Sequence, residues 1–331
     1  MSGSASTPPR LHVVSGKGGT GKTTVAAALA LALAEEGRRT LLVEVEGRQG
    51  IAQLFETEAL PYEERRIAIG PGGGEVFALA IDAEQALLDY LQMFYKLGGA
   101  GRALRRLGAI SFATTVAPGV RDVLLTGKAC EAVRRRGPGG RFAYDAVVMD
   151  APPTGRIARF LGVNDEVAGL ARVGPIHHQA QAVMRVLKSR ETAVHLVSLL
   201  EEMPVQETAD GVAELRAAGL PVGCVVVNMV RPPVPFGAAV PAGGLTPRGE
   251  RALAEALAGA GLPHADRLVA PLLAQGAAYA ARRRLQERQR AELDRLGLPV
   301  RELPLLAEGV DIAGLYRLAR RLRKDLRSHA E

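Results

Sequence analysis

The stretch VVSGKGGTGKTT, which covers Val13–Thr24, decides the fold of this chain of 331 residues. A short apolar run opens it, four glycines and two lysines follow, and an Ala/Leu-rich helical stretch starts after Lys22. The spacing G-x-x-x-x-G-K-[ST] between a strand and a helix is typical of a phosphate-binding loop, whose backbone amides converge on phosphate oxygens. The stretch therefore predicts an α/β protein that binds a nucleotide.

The loop predicts separate roles for its polar side chains. Lys22 is expected to reach the β- and γ-phosphates, and the hydroxyl of Thr23 is expected to ligate Mg²⁺. Lys17 is not needed for either task, so it either faces solvent or has a second function. The loop residues predicted to contact the nucleotide are Gly16, Gly18, Gly19, Thr20, Gly21, Lys22, Thr23 and Thr24.

Apolar runs alternate with helical stretches along the rest of the chain. Several runs are continuously apolar, as strands covered on both faces are, and this pattern predicts a mostly parallel sheet with helices on both sides. We therefore expect an α/β P-loop NTPase with a twisted sheet flanked by helices. The predicted strands cover residues 11–15, 40–46, 75–82, 145–150, 193–200, 222–230 and 300–306.

The same pattern predicts the domain organisation. Residues 1–10 are polar and are expected to form a disordered tail, while residues 11–331 form a single domain. Helical stretches at 83–136 and 156–192 interrupt the alternation and are candidates for a small helical cap above the strand ends. The chain lacks a signal peptide and an apolar run of ~18 residues, which predicts a cytoplasmic protein.

Carboxylates stand at the ends of two predicted strands. Glu46 ends TLLVEVE and Asp150 ends DAVVMD. Carboxylates at this edge of a parallel sheet can orient a water molecule or hold Mg²⁺. We expect Glu46 to be catalytic and Asp150 to hold Mg²⁺ through a water, although Glu44 and Glu46 also fit ordinary strand-end positions.

Charge and cysteine content restrict the partners. The net charge is +7, and much of the excess lies on basic helical segments between 282 and 331. Such segments are usually solvated, but they could also face an acidic partner or anionic lipid. Nucleic acid is disfavoured because no aromatic residues interleave the charges. Two distant cysteines, Cys130 and Cys224, exclude a disulfide framework and a cysteine zinc site within the chain.

Two motifs resemble those of a known family. GKGGTGKTT resembles the deviant Walker A loop of MinD, ParA and ArsA proteins, and DAPPTGRIARFL, starting at Asp150, resembles the D-T-A-P-T-G-H-T-x-R-F-L switch of ArsA-like ATPases. The resemblance implies ATP as substrate and a nucleotide-sandwich dimer, of identical chains or with a paralogous one, in which Lys17 reaches the partner's phosphates. It also implies that Asn228 reads adenine and that Pro304 starts an adenine-side loop, although Asn228 alone also fits a turn residue.

The chain departs from this family at several positions. Glu46 stands where the family has an aspartate, and Arg156 and Ile157 replace a histidine and a threonine. The cysteine cluster of arsenite pumps is missing, as are the CxxC motif and the large Met-rich insertion of ATPases that target tail-anchored proteins. These departures speak against both clients.

Three functions remain open at this stage. The first is an ArsA-like ATPase that hydrolyses Mg-ATP as a dimer to open and close a cap on an unknown client, in one version at a membrane surface. The second is a nucleotide-gated binding protein with negligible turnover. The third is a positioning ATPase of the MinD/ParA type, with the basic C-terminal helix as its membrane anchor.

Overall fold

The computed structural model describes residues 8–35, 37–95, 118–170, 175–231 and 245–327. Its eight-stranded sheet has the order β3-β4-β2-β5-β1-β6-β7-β8. All neighbouring strands are parallel except β3, which pairs antiparallel with β4. The strands are β1 Leu11–Gly16, β2 Arg39–Glu44, β3 Arg65–Ile69, β4 Glu75–Ala80, β5 Ala146–Asp150, β6 Thr192–Ser198, β7 Val222–Val230 and β8 Val300–Pro304.

Helices cover both faces of this sheet, which confirms the predicted mostly parallel α/β fold. Alanine is the commonest residue of α1, and all of its residues from Val25 to Ala32 are buried, so the helix lies close to the strands and to α10. The helices are α1 Lys22–Leu33, α2 Gly50–Leu54, α3 Ala83–Tyr95, α4 Pro118–Arg134, α5 Thr154–Leu170, α6 Pro175–Leu187, α7 Glu202–Ala217, α8 Pro247–Gly259, α9 Ala265–Asp294 and α10 Ile312–Arg327.

The edge strand β3 was not among the predicted strands. Its sequence RRIAI begins with Arg65 and Arg66, which are exposed and pair with Glu58 and Glu75. Only part of one face of an edge strand is covered, so its sequence often lacks a clear alternation of apolar and polar residues. This is why the sequence did not predict β3. β2 also ends two residues earlier than predicted, at Glu44, so Glu46 lies in the following loop.

The helices predicted to form a cap share a core with the sheet. Leu125 of α4, Phe160 of α5 and Leu187 of α6 are buried in one cluster with Val147 of β5. In the part of the chain that the structure describes, α4 to α6 are therefore a layer on one face of the sheet. Residues 96–117 and 171–174 of the predicted cap lie outside the described residues.

Of the predicted tail, residues 1–7 lie outside the described residues. The structure describes its last residues, where the guanidinium of Arg10 donates to the carbonyl oxygen of Tyr144 at 2.8 Å.

The basic C-terminal helix α10 uses its apolar side for the core. Leu315, Leu318 and Leu322 are buried against α1, while Arg317 and Arg320 are exposed. An amphipathic membrane anchor needs its apolar face free for lipid, so this packing disfavours the MinD-like alternative. In the described residues, no helix is long and apolar enough to cross a membrane.

Candidate nucleotide-binding site

The phosphate loop connects β1 to α1, and its glycines are required by the local geometry. A Cβ on Gly16 would lie 2.4 Å from the carbonyl oxygen of Val197, and Gly19 has a φ of 87°. The Thr20 hydroxyl donates to the carbonyl oxygen of Lys17 at 2.8 Å and closes the turn. The N-cap of α1 is Gly21, which offers no side chain to its first amides. These amides and the positive end of the helix are therefore available to an anion.

Lys22 is the first residue of α1. Within the described residues it has no hydrogen-bond or ion-pair partner, although its charge acts on the carboxylate of Asp150. An uncompensated ammonium at the start of a glycine-rich loop can neutralise phosphate charge.

Thr23, in the first turn of α1, meets Asp150 at the end of β5. The hydroxyl of Thr23 donates to Oδ2 of Asp150 at 2.6 Å, whereas Oδ1 of Asp150 is buried without a hydrogen-bond partner. The pKa of Asp150 is raised to about 6, chiefly by burial and to a smaller extent by the carboxylates of Glu44 and Glu46. The hydrogen bond from Thr23 and the charge of Lys22 oppose this rise. A hydroxyl and a carboxylate with one unsatisfied oxygen are the hard donors that Mg²⁺ prefers, so these residues fit the ion.

Glu44 and Glu46 have different environments. Glu44 is buried, and its carboxylate accepts the backbone amides of Gln49 at 2.5 Å and Ile51 at 3.1 Å, which fixes the loop and the start of α2. The side chain of Glu46 is partly exposed and lies 3.8 Å from the guanidinium of Arg48. Glu46 is therefore free to contact a water molecule, while Glu44 is committed to the backbone.

Ser15 ties the phosphate loop to the turn after β5. Its hydroxyl donates to the carbonyl oxygen of Pro152 at 2.6 Å, and the amide of Ala151 donates to Val14 at 2.9 Å. Thr154, two residues after Pro152, packs closely on Gly211 of α7. A Cβ on Gly211 would lie 2.3 Å from the methyl group of Thr154. A shift of this turn therefore has to move the phosphate loop or α7, since all three are in direct contact.

Lys17 is turned toward its own chain. Its ammonium lies 2.6 Å from Oε1 of Glu207 on α7, and both side chains are about one-third exposed, at 31% and 36%. Glu207 was not among the predicted site residues. The sequence offered little signal for it, because a glutamate within a helical stretch is ordinarily a solvated residue.

Asn228 supports the phosphate loop directly. It is buried, and its side-chain amide donates to the carbonyl oxygen of Thr20 at 2.9 Å. A Cβ on Gly21 would lie 2.4 Å from that amide nitrogen, so the contact also requires a glycine there. Asn228 therefore supports the phosphate loop, while its contact with adenine stays a prediction.

Asn228 also lines a cavity of about 330 Å³ beside the loop. The cavity lies between the ends of β6 and β7 and the side of α9, where Arg282 and Leu285 face it. Leu305 lines it, whereas the preceding residue Pro304 ends β8 and is exposed. Leu305 is held there by its amide, which donates to Val230 at 2.8 Å. Apolar, charged and amide side chains all line this cavity.

A glycine-rich loop after the first strand of a parallel sheet, with a free lysine and a threonine–aspartate pair, defines a P-loop NTPase. The family model described as anion-transporting ATPase, ArsA type, matches residues 10–189, which is more than half of the chain. The chain belongs to the ArsA family and is an ATPase.

Curated relatives agree with this assignment. ATPase BagA from Mycobacterium tuberculosis is 52% identical over 315 residues, which cover 95% of this chain and 92% of that protein. Putative arsenical pump-driving ATPase 2 from Aquifex aeolicus is 26% identical over 255 residues, 68% of this chain and 82% of the relative. ATPase GET3 from Kluyveromyces lactis is 26% identical over 251 residues, with 66% and 71% covered.

Both cysteines lie in the hydrophobic core. Cys130 is buried on one face of the sheet and Cys224 on the other. In the described residues, no group of three or more His, Cys, Asp or Glu residues could hold a metal ion. A soft metalloid such as trivalent arsenic needs convergent thiolates, which these two buried cysteines do not provide.

Proposed function

We propose that this ATPase hydrolyses Mg-ATP in a dimer. The cycle of binding and hydrolysis would open and close the layer of helices α4 to α6 on a client. The observation that carries the proposal is the hydrogen bond from half-buried Thr23 to buried Asp150, which leaves one carboxylate oxygen unsatisfied. It lies beside Lys22, which has no hydrogen-bond or ion-pair partner among the described residues. These groups are what a phosphate loop needs for a nucleotide with a divalent ion.

Each residue has a defined task in this proposal. The loop amides and Lys22 bind the phosphates and neutralise the charge that develops on them. Thr23 and Asp150, the latter through a water, hold Mg²⁺, which would withdraw charge from the phosphate oxygens. Glu46 orients the attacking water, because its carboxylate is partly exposed at the edge of the site. Asn228 keeps the loop in place and contacts the base, with the segment at Pro304 and Leu305 on the other side.

The dimer enters the proposal through Lys17. The ammonium is not required for binding in one chain, and a cation that reaches the phosphates of a partner would make assembly part of catalysis. Lys17 would exchange Glu207 for those phosphates when two chains meet. The second chain is a copy of this one or a paralogue.

Transmission to the helices would start at the turn after β5. Ser15, in the strand that enters the loop, holds Pro152, and α5 begins two residues later at Thr154. A change at the γ-phosphate that moves this turn would move α5 and the helices packed on it. The client of this motion is unknown.

The test compares the wild-type chain with Lys22→Ala. We expect wild-type hydrolysis that requires Mg²⁺, and a dimer by light scattering that forms with a non-hydrolysable ATP analogue. Both should be lost in Lys22→Ala, while an exposed control on α8, Arg251→Ala, should keep both. Hydrolysis without any nucleotide-dependent assembly would contradict the dimer and leave the ATPase assignment intact.

The nucleotide-gated alternative differs only in turnover. The names of the relatives favour an ATPase, and the Glu46 variants described in the Discussion separate the two functions.

A further inference from the structure

A second, larger cavity of about 870 Å³ lies outside the phosphate loop. Its walls are the loop after β2, which carries Glu46 and Arg48, the turn from Pro152 to Arg156, and the first turns of α4. The nucleotide-binding residues described above account for its edge at Glu46 and for none of its remaining polar groups.

Three arginines line this cavity together with the carboxylate of Asp122. Arg121 belongs to the first turns of α4, and Arg156 and Arg159 to those of α5, and all three are exposed. Nη2 of Arg156 lies 3.5 Å from Oδ2 of Asp122, and the charges of Arg121 and Arg159 act on the same carboxylate. Within the described residues, neither Arg121 nor Arg159 forms an ion pair. One carboxylate cannot neutralise three guanidinium groups.

The electrostatics of Asp122 show how loosely these charges are matched. Burial raises the pKa of Asp122, and the three arginines lower it too little to offset that effect. Tight bidentate pairing with an arginine would depress the pKa of a carboxylate. The guanidinium groups therefore lie near Asp122 without tight ion pairing and can still bind another anion.

Two helix N-termini add to the positive character of this wall. Gly119, in the first turn of α4, and Gly155, in the first turn of α5, both line the cavity. Each of these helices has 17 residues, and their first amides and positive ends favour an anion.

Acidic residues line other parts of the cavity. They are Glu46 in the loop after β2, Asp82 and Glu84 around the start of α3, and Glu166 further along α5. Asp82 is engaged, because its carboxylate accepts the amide of Gln85 at 2.8 Å. A lining of both signs suits a small polar anion with hydroxyl or amino groups, and it is unsuited to an apolar helix, since charges would be buried unpaired.

We infer that this cavity binds a small organic oxyanion, a carboxylate or phosphate ester, through Arg121, Arg156 and Arg159. The cavity's walls include Glu46 and the turn that Ser15 holds, so we assign it as the client site of the ATPase. This assignment rests on the proposed function. Nucleotide and anion would then bias the same segments, and each would change the affinity of the other by the same factor.

The test is calorimetric titration with succinate, citrate and methyl phosphate. The wild-type chain is saturated with ADP to block the phosphate loop, and unliganded Lys22→Ala serves as a second background in which that loop is impaired. We expect at least one probe to bind one-to-one in both backgrounds. Arg121→Gln/Arg159→Gln should weaken it by at least roughly tenfold, the loss expected for charged hydrogen bonds.

The matched control is Arg267→Gln/Arg288→Gln, which removes two exposed arginines from α9. This variant should bind the probe with wild-type affinity, and both double variants should keep the wild-type melting temperature. Absence of binding by all three probes, or equal loss in both variants, would overturn the inference. A chain that fails to bind ATP but still binds the probe would overturn only the proposed function.

Discussion

The ammonium of Lys17 lies 2.6 Å from the carboxylate of Glu207 in the same chain, across 190 residues of sequence. The contact places the surplus lysine of the phosphate loop on α7, away from the cradle formed by the loop amides. In a dimer where Lys17 serves the partner's phosphates, this pair has to separate.

Mixing two inactive variants tests the action of Lys17 in trans. We expect Lys17→Ala to lower the turnover number by ~10³-fold or more, as for other cations supplied in trans, with little change in ATP binding. Lys22→Ala should also be inactive. In a mixed dimer, the intact cradle of the Lys17→Ala chain meets the intact Lys17 of the other chain, so one site should recover. Steady-state phosphate release measures this. Because Lys22→Ala is not expected to assemble by itself, an affinity tag on one chain shows that mixed dimers form, and absence of recovery in those mixtures would place Lys17 in cis.

Magnesium binding should depend on the protonation of Asp150. The pKa of Asp150 is raised to about 6, so the carboxyl is protonated below that pH in the chain without nucleotide. The raised pKa means that the fold favours the protonated carboxyl. The free energy of unfolding therefore falls as pH rises from about 4 to about 6 and the buried group ionises. A bound cation should offset that fall. The rise in melting temperature caused by Mg²⁺ with ADP should therefore grow between pH 5 and pH 7 (roughly the window set by this pKa), and Asp150→Asn should abolish the growth.

Glu46 decides between turnover and gating. We expect Glu46→Gln to keep ATP binding and to lower turnover by ~10²–10⁴-fold, the usual contribution of a general base. Glu46→Asp should change turnover only modestly if the native glutamate already works. A near-zero native rate that increases strongly in Glu46→Asp would favour the nucleotide-gated binding protein. Single-turnover hydrolysis with fluorescent ATP measures all three chains.

Gly211 should be sensitive because of its contact with Thr154. Gly211→Ala introduces a Cβ 2.3 Å from the Thr154 methyl group, and we expect a loss of ~1–3 kcal/mol in the free energy of unfolding from overpacking. Gly162→Ala, inside α5 with no atom within 4 Å of the new Cβ, is the matched control and should gain up to ~1 kcal/mol. Urea unfolding measures both, and equal effects would show that the contact is unimportant.

A buried histidine pair should make the fold sensitive to acid. Nδ1 of His12 and Nε2 of His195 are 3.0 Å apart, and Nδ1 of His195 lies 3.0 Å from the sulfur of Cys224. Burial lowers the pKa of His12 to about 4 and that of His195 well below 6.5. Unfolded histidines take up protons near pH 6.5 whereas the folded ones do not, so the free energy of unfolding should fall as pH drops from about 6.5 to about 4.

His12 alone corresponds to roughly 3 kcal/mol over that range. Urea unfolding at several pH values gives the slope. The exposed control His264→Gln should keep the wild-type slope, while His12→Leu should flatten it, and an unchanged slope in His12→Leu would assign the acid sensitivity to other groups.

Local chemistry made most of the fold and the loop predictable. All seven predicted strands are present, because a continuously apolar run between turn residues has few other structures open to it. The glycine spacing around Lys22 and the strand-end position of Asp150 are likewise features of a few neighbouring residues. The edge strand β3 was missed because its two consecutive arginines break the alternation of apolar and polar residues. Both arginines lie at the surface, where they pair with carboxylates.

The sequence by itself determined a P-loop ATPase, with the glycine-rich cradle, the threonine and the aspartate that we propose to hold Mg²⁺, and a surplus lysine. Only the tertiary structure decided which distant groups meet: Lys17 with Glu207, the Ser15 hydroxyl with the carbonyl of Pro152, and Arg156 with Asp122. It also separated buried Glu44 from accessible Glu46. The reason is that loop geometry depends on near neighbours, whereas these contacts depend on strand order and helix packing, which bring together residues far apart in the chain.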